Sequence, residues 1–121
     1  MSKRVLTVDD SKTMRDMVAF TLRSAGFDVG EAEDGVKALA VLSAKPADLV
    51  ITDLNMPNMD GITLIQKLRA DPKYRATPIL MLTTEGDPNK KAEGRSAGAT
   101  GWLVKPFNPE KLVELVRRVC P

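Results

Sequence analysis

The sequence predicts an open α/β fold, a doubly wound five-stranded parallel sheet with five helices, and three observations carry that reading. Short apolar runs alternate with amphipathic stretches along the whole chain. Several of those runs are apolar at every position, as strands covered by helices on both faces must be. The alternation also repeats too few times to close a barrel, which leaves an open sheet whose ligand sits beyond the carboxyl ends of the strands.

Each element has its own signal. Val5-Leu6-Thr7-Val8 is an apolar and β-branched run that stops at Asp9-Asp10, the first strand. Ser11 caps a helix in which Met14, Met17, Val18, Thr21, Leu22 and Ala25 recur at helical spacing, and Gly26 closes it. Residues 28–32 form a weaker second strand, and Asp34-Gly35 opens a helix with Val36, Leu39, Ala40 and Leu42 on its inner face. Leu49-Val50-Ile51-Thr52 is the third strand, ended by Asp53. Turn residues 57–61 lead into a helix carrying Ile62, Ile65 and Leu68, which Asp71-Pro72 breaks. Residues 79–83 make the fourth strand, Pro88 opens a helix that runs to about Ala97, Trp102-Leu103-Val104 is the fifth strand, and the last helix runs from Pro109 through Val119.

Composition narrows the chemistry. At 121 residues and 43% hydrophobic content the chain can bury one core unaided, and residues 1–121 read as one domain. Cys120 is the single cysteine, so no disulfide framework forms within the chain and a reducing compartment follows; Cys120 itself is assigned no role. The apolar stretch before Asp9 is too short for a signal peptide or a membrane span, and the expected location is cytoplasmic, with no membrane partner. The 18 Lys+Arg are interspersed with 16 Asp+Glu and make no basic block, so no nucleic-acid partner is expected. Histidine is absent, which removes Ser-His and Cys-His catalysis, a His general base and His-ligated zinc or iron. Carboxylates, hydroxyls and lysine remain.

Those groups collect at one edge. Asp9-Asp10 ends the first strand, Asp53 the third, Thr83-Thr84 the fourth and Lys105 the fifth. Where the first and third strands flank the switch point, Asp9, Asp10 and Asp53 converge. A pair of carboxylates at about 5 Å costs on the order of 1 kcal/mol in water and a few kcal/mol in a shielded cleft, so a positive group must join them. Lys105 is one candidate. Mg²⁺, completed by waters and phosphate oxygens, is the other, favoured by a small set of hard oxygen ligands. A carboxylate beside such an ion and an ammonium can attack a phosphoryl group, which makes Asp53 the candidate nucleophile and Thr83 a hydroxyl donor to the transferred group.

Four stretches together, Val8-Asp9-Asp10-Ser11, the run from Thr52-Asp53 through Asp60-Gly61, Leu82-Thr83-Thr84-Glu85, and the run from Gly98 through Lys105-Pro106-Phe107, resemble the response regulator receiver domains, above all the single-domain chemotaxis regulators of the CheY type. The resemblance spans essentially the whole chain and supplies the flavodoxin-like strand order 2-1-3-4-5. It implies that Asp53 is the phosphoacceptor, that Asp10, Asp53 and the Asn55 backbone carbonyl ligate Mg²⁺ with Asp9 assisting through water, and that Lys105 and Thr83 contact the phosphoryl group. It further implies a switch role for Trp102 alongside Thr83, tuning of dephosphorylation by Asn55 and Glu85, and a cis Lys105-Pro106 peptide. The implied partners are a chemotaxis histidine kinase as phosphodonor and a flagellar motor switch protein, met by a monomer through the face of the fourth helix, fifth strand and fifth helix. A phosphoacceptor of this kind is not a conventional enzyme.

Plainer roles stand beside these. Trp102 serves equally as a core side chain; Met14, Met17 and Met81 read as core filling; Met56 and Met59 are placed for partner contact; Lys90-Lys91 reads as an exposed helix face. Two further readings keep the receiver chemistry without the motor: a phosphate sink and a phosphorelay intermediate. An aspartate-dependent Mg²⁺ phosphohydrolase is the enzyme alternative, disfavoured because its D-x-D nucleophile follows the first strand whereas Asp9-Asp10 are adjacent here. A flavin-binding domain is disfavoured by the acids after the first strand.

Overall fold

The computed structural model describes residues 3–84 and 88–121, with Thr84 in its backbone alone. Strands and helices alternate throughout: β1 (Arg4–Val8), α1 (Lys12–Ser24), β2 (Asp28–Ala32), α2 (Gly35–Ala44), β3 (Leu49–Asp53), α3 (Gly61–Ala70), β4 (Ile79–Thr84), α4 (Pro88–Ala97), β5 (Gly101–Lys105) and α5 (Pro109–Val119). The strands form one parallel sheet in the order β2-β1-β3-β4-β5, the order the resemblance supplies.

Alternation along the strands sorts the side chains into two cores. Leu6 and Val8 of β1, Val50 of β3, and Ile79 and Met81 of β4 pack with Ala38 and Leu42 of α2 and Leu64, Ile65 and Leu68 of α3. Val5, Leu49, Ile51, Leu80 and Leu82 point the other way, onto Val18, Ala19 and Leu22 of α1 and Leu112 and Val116 of α5. Each fully buried Leu or Ile in these layers contributes about 1.5–3 kcal/mol. The helices are stopped where the sequence has stop signals. Ser11 accepts from the Met14 N–H at 3.2 Å to start α1, while Gly26 takes a φ of 95° so that its own N–H and that of Phe27 reach back to Arg23 and Leu22.

Two inner faces differ from expectation. Met17 is 47% exposed, because the buried stripe of α1 is centred on Val18, Ala19 and Leu22 and Met17 lies a quarter-turn off it. In α2, Val36 is 51% exposed and Ala40 is exposed, and the inner stripe is Gly35, Ala38 and Leu42. Gly35 lies against Met59 and Ala38 is fully buried, so the side that packs most closely carries the smallest residues and the larger apolar ones misdirect the count. Met56 and Met59 are half-buried against the α2/α3 core, and Met14 and Met81 pack as expected. Cys120 is buried against the α1/α5 core.

Candidate functional site

Strand register builds the site. Val8 pairs with Thr52, so Asp9, one residue on, flanks Asp53; Asp53 pairs with Leu82, so Thr83 lies one step beyond it; and Thr84 pairs with Lys105. Asp9, Asp10 and Asp53 each offer a carboxylate oxygen, and these oxygens lie within 4.8 Å of one another. Asp9 is fully buried, Asp53 is nearly so, and Asp10 is exposed at the rim.

Lys105 reaches across from β5 and bridges the two inner acids, its Nζ 3.1 Å from Asp9 Oδ2 and 3.2 Å from Asp53 Oδ1. The remaining Asp9 oxygen, Oδ1, accepts the Ser11 N–H at 2.9 Å, and Asp53 Oδ1 also accepts the Leu54 N–H at 2.8 Å. Burial, followed by the charge of Asp9, pushes the Asp53 carboxyl above the usual carboxylate range, against the pull of Lys105. Burial alone would lower the Lys105 ammonium, but Asp53 and Asp9 outweigh it and hold its pKa above the ordinary lysine value. One ammonium answers only part of the charge of three carboxylates, and the cluster remains electron-rich.

The donor set suits a hard divalent cation: carboxylate oxygens gathered at one point, one of them on the solvent side. Asn55 is exposed two residues beyond Asp53, where its main chain follows the strand end. Thr83, one step beyond the Asp53 pairing, places a buried hydroxyl at the same edge. Its side chain is 4% exposed and its Oγ1 has no hydrogen-bond partner, a buried donor with nothing to donate to. Trp102 is half-buried; it touches the α2/α3 core on one side and faces Lys91 and Arg95 of α4 on the other. Lys90 and Lys91 are each half-buried, on a helix most of whose other residues are exposed. Glu85 lies outside the described residues. The Lys105-Pro106 peptide is cis.

Three supports were not anticipated. Arg15 donates from Nη1 to the Asp9 carbonyl at 2.7 Å, and its Nε lies 3.5 Å from Glu31. Its position in the second turn of α1, six residues after Asp9, was the available signal. Asp34, 3% exposed, accepts the Lys37 N–H at 2.8 Å to cap α2 and accepts Asn58 Nδ2 at 2.9 Å, which ties the loop after β3 to α2. Asn58 sits at a φ of 66°, a region Asn tolerates better than most residues. Gly61 starts α3 directly against the Asp53 carbonyl and Leu54 Cα, where any Cβ would overlap the backbone, and its N–H donates to the Leu54 carbonyl at 2.9 Å.

The fold and site define an open parallel α/β sheet with three carboxylates and a lysine gathered beyond the carboxyl ends of its strands. The chain belongs to the response regulator receiver domain family, whose model matches residues 5–117. It is 44% identical over 113 residues to the chemotaxis protein CheY1 of Helicobacter pylori, covering 92% of this chain and 91% of that protein. Over 117 residues it is 39% identical to the chemotaxis protein CheY of Pseudomonas aeruginosa, covering 96% and 94%. It is also 40% identical over 114 residues to the DNA-binding dual master transcriptional regulator RpaA of Synechocystis, and there it covers 94% of this chain but only 47% of the relative. The solved structure of the chemotaxis response regulator CheY4 of Vibrio cholerae superposes with a TM-score of 0.93 at 50% identity, over 98% of this chain and 99% of that one.

The family sets the coarse chemistry. Receiver domains are phosphoacceptor signalling modules of two-component phosphorelays; they bind Mg²⁺ through an acidic pocket, and a histidine kinase is the phosphodonor they imply. Chemotaxis regulators are prominent among the relatives. No helix among the described residues is long and apolar enough to cross a membrane.

Proposed function

We propose that this chain is a phosphorylation-activated chemotaxis regulator in which Asp53 accepts a phosphoryl group from a phosphohistidine of its kinase. The observation that carries the reading is the pairing of Lys105 Nζ with Asp53 Oδ1 and Asp9 Oδ2 beside the unpartnered Thr83 hydroxyl, an ammonium and a hydroxyl flanking one buried carboxylate. An Asp53 carboxylate oxygen forms the new bond to phosphorus while the phosphorus–nitrogen bond of the donor breaks, and the imidazole leaves with a proton. Asp10, Asp53 and the Asn55 main-chain carbonyl would hold Mg²⁺, with Asp9 acting through a water. Bound there, the ion would supply positive charge beside the transferring oxygens. Lys105 follows the new charge, exchanging Asp53 for a phosphoryl oxygen, and Thr83 Oγ1 donates to another. Asn55, with Glu85, limits how water approaches the acyl phosphate.

Thr83 and Trp102 then carry the change outward, and the α4, β5 and α5 face meets the flagellar motor switch protein as a monomer. The chemotaxis proteins among the relatives support this output. Incubation with acetyl phosphate and Mg²⁺ is expected to add one phosphoryl group, lost with chelator and lost in Asp53→Asn. Persistent labelling of Asp53→Asn would overturn the assignment. Capture of motor switch protein only in the presence of beryllofluoride supports the motor output. Absence of capture, with labelling intact, would instead make the chain a phosphate sink or relay intermediate.

A further inference from the structure

Lys91 and Arg95 of α4 have no carboxylate partner among the described residues; both lie on the Trp102 indole, with Lys91 Nζ 5.7 Å and Arg95 Cζ 4.9 Å from the ring centroid. They are one helical turn apart and so share a face of α4. Both distances fall within the cation–π range of about 6 Å. Gly94 sets this reach. A Cβ there would overlap the Met81 side chain, and Met81 pairs with Trp102 across β4 and β5, so α4 rides directly on the strand beside the indole. Gly94 is also the one residue of α4 that is buried, leaving the helix with little apolar surface to hold it down. Thr83 lies two residues beyond Met81 on the same face of the sheet, its hydroxyl unpartnered. An indole that turns toward Thr83 must leave both cations.

We propose that Lys91 and Arg95 are positioning residues that clasp Trp102 in its outward, half-exposed place, so that two cations on α4 set how readily the phosphoacceptor site read above switches. Anything that stabilises the outward indole opposes the phosphorylated form by the same factor. The planar Arg95 guanidinium stacks closer and bears the larger share. Trp102 is the only tryptophan in the chain and reports its own position by fluorescence.

The test compares Lys91→Met/Arg95→Met, which keeps an unbranched stem and helix propensity while removing charge, with Lys91→Arg/Arg95→Lys, which keeps the charge. Acrylamide quenching of selectively excited Trp102 is measured without phosphodonor, and phosphoryl incorporation is measured at limiting acetyl phosphate with Mg²⁺. In the methionine pair quenching is expected to fall and incorporation to rise about five- to thirty-fold, the population shift that two exposed-site cation–π contacts represent. The charge-retaining pair is expected to fall between wild type and the methionine pair, because it keeps both charges but moves the stacking guanidinium away from position 95. Unchanged or increased quenching in the methionine pair, or a charge-retaining pair that matches it in full, would overturn the clasp. Wild type that takes up no phosphoryl group refutes the phosphoacceptor reading instead, and the quenching comparison still decides the clasp.

Discussion

Replacing Lys105 with Met removes the cation that contacts both Asp9 and Asp53, at 3.1 and 3.2 Å, and leaves two carboxylates whose side chains are only 1% and 13% exposed. At an effective dielectric of about 20 each contact has a gross Coulomb energy of roughly 5 kcal/mol, most of it offset by the desolvation of the ammonium. Truncating one partner of such a buried group costs about 3–5 kcal/mol, because the charges left behind are uncompensated. Protonation of Asp53, whose pKa already stands above the usual carboxylate range, relieves part of that. Lys105→Met is therefore expected to lose about 3 kcal/mol at neutral pH in chelator, read as the shift of a urea unfolding midpoint at constant slope. Mg²⁺ is expected to restore more stability to the variant than to wild type, since the ion takes over the neutralising role. A loss below about 0.5 kcal/mol, the scatter of ordinary surface substitutions, would refute the charge balance described for this site.

Three further expectations follow from the same geometry. Because burial and Asp9 raise the Asp53 pKa, its native-state stability contribution is greatest below the ordinary carboxylate pKa and is lost as pH rises through the raised value, so Asp53→Asn should stabilise the metal-free protein at neutral pH and flatten that decline; urea midpoints across the acid range check it, and a destabilised Asn variant would contradict it. Gly61→Ala should cost about 1–3 kcal/mol and weaken Mg²⁺ binding, because the overlap is with the backbone of Asp53 and Leu54 and cannot be absorbed by a rotamer; unfolding and metal titration read the two effects. Asp34→Ala should cost about 1–2 kcal/mol by uncapping α2 and freeing Asn58, measurable by thermal unfolding together with faster amide exchange in the loop after β3.

What the sequence made legible was the backbone order and the strand ends. Every strand but β2 reads as an apolar run closed by a polar residue, and a parallel sheet turns such ends into neighbours, so Asp9, Asp53, Thr83 and Lys105 could be placed on one edge from sequence. Strand order came from the resemblance, because periodicity says which residues are buried but not which strand lies beside which. One inner face was misread where close packing demanded small residues: Gly35 and Ala38 of α2 carry little hydrophobic signal, so Val36 seemed the better core. The supports of Asp9 by Arg15 and of the loop after β3 by Asp34 were invisible for another reason. Both depend on where a helix or loop passes in space, and a lone Arg or an N-terminal Asp has a bland explanation in sequence. The Trp102 clasp is of the same kind, since Gly94 alone brings Lys91 and Arg95 within reach of the ring.

The central claim is that Asp53, and not either neighbouring acid, carries the phosphoryl group. Borohydride reduction of protein treated with acetyl phosphate and Mg²⁺ converts an aspartyl phosphate to homoserine, which peptide mass spectrometry can locate. The account predicts homoserine at position 53 alone, dependent on Mg²⁺. Homoserine at Asp9 or Asp10, or phosphate retained on a hydroxyl residue, would contradict it.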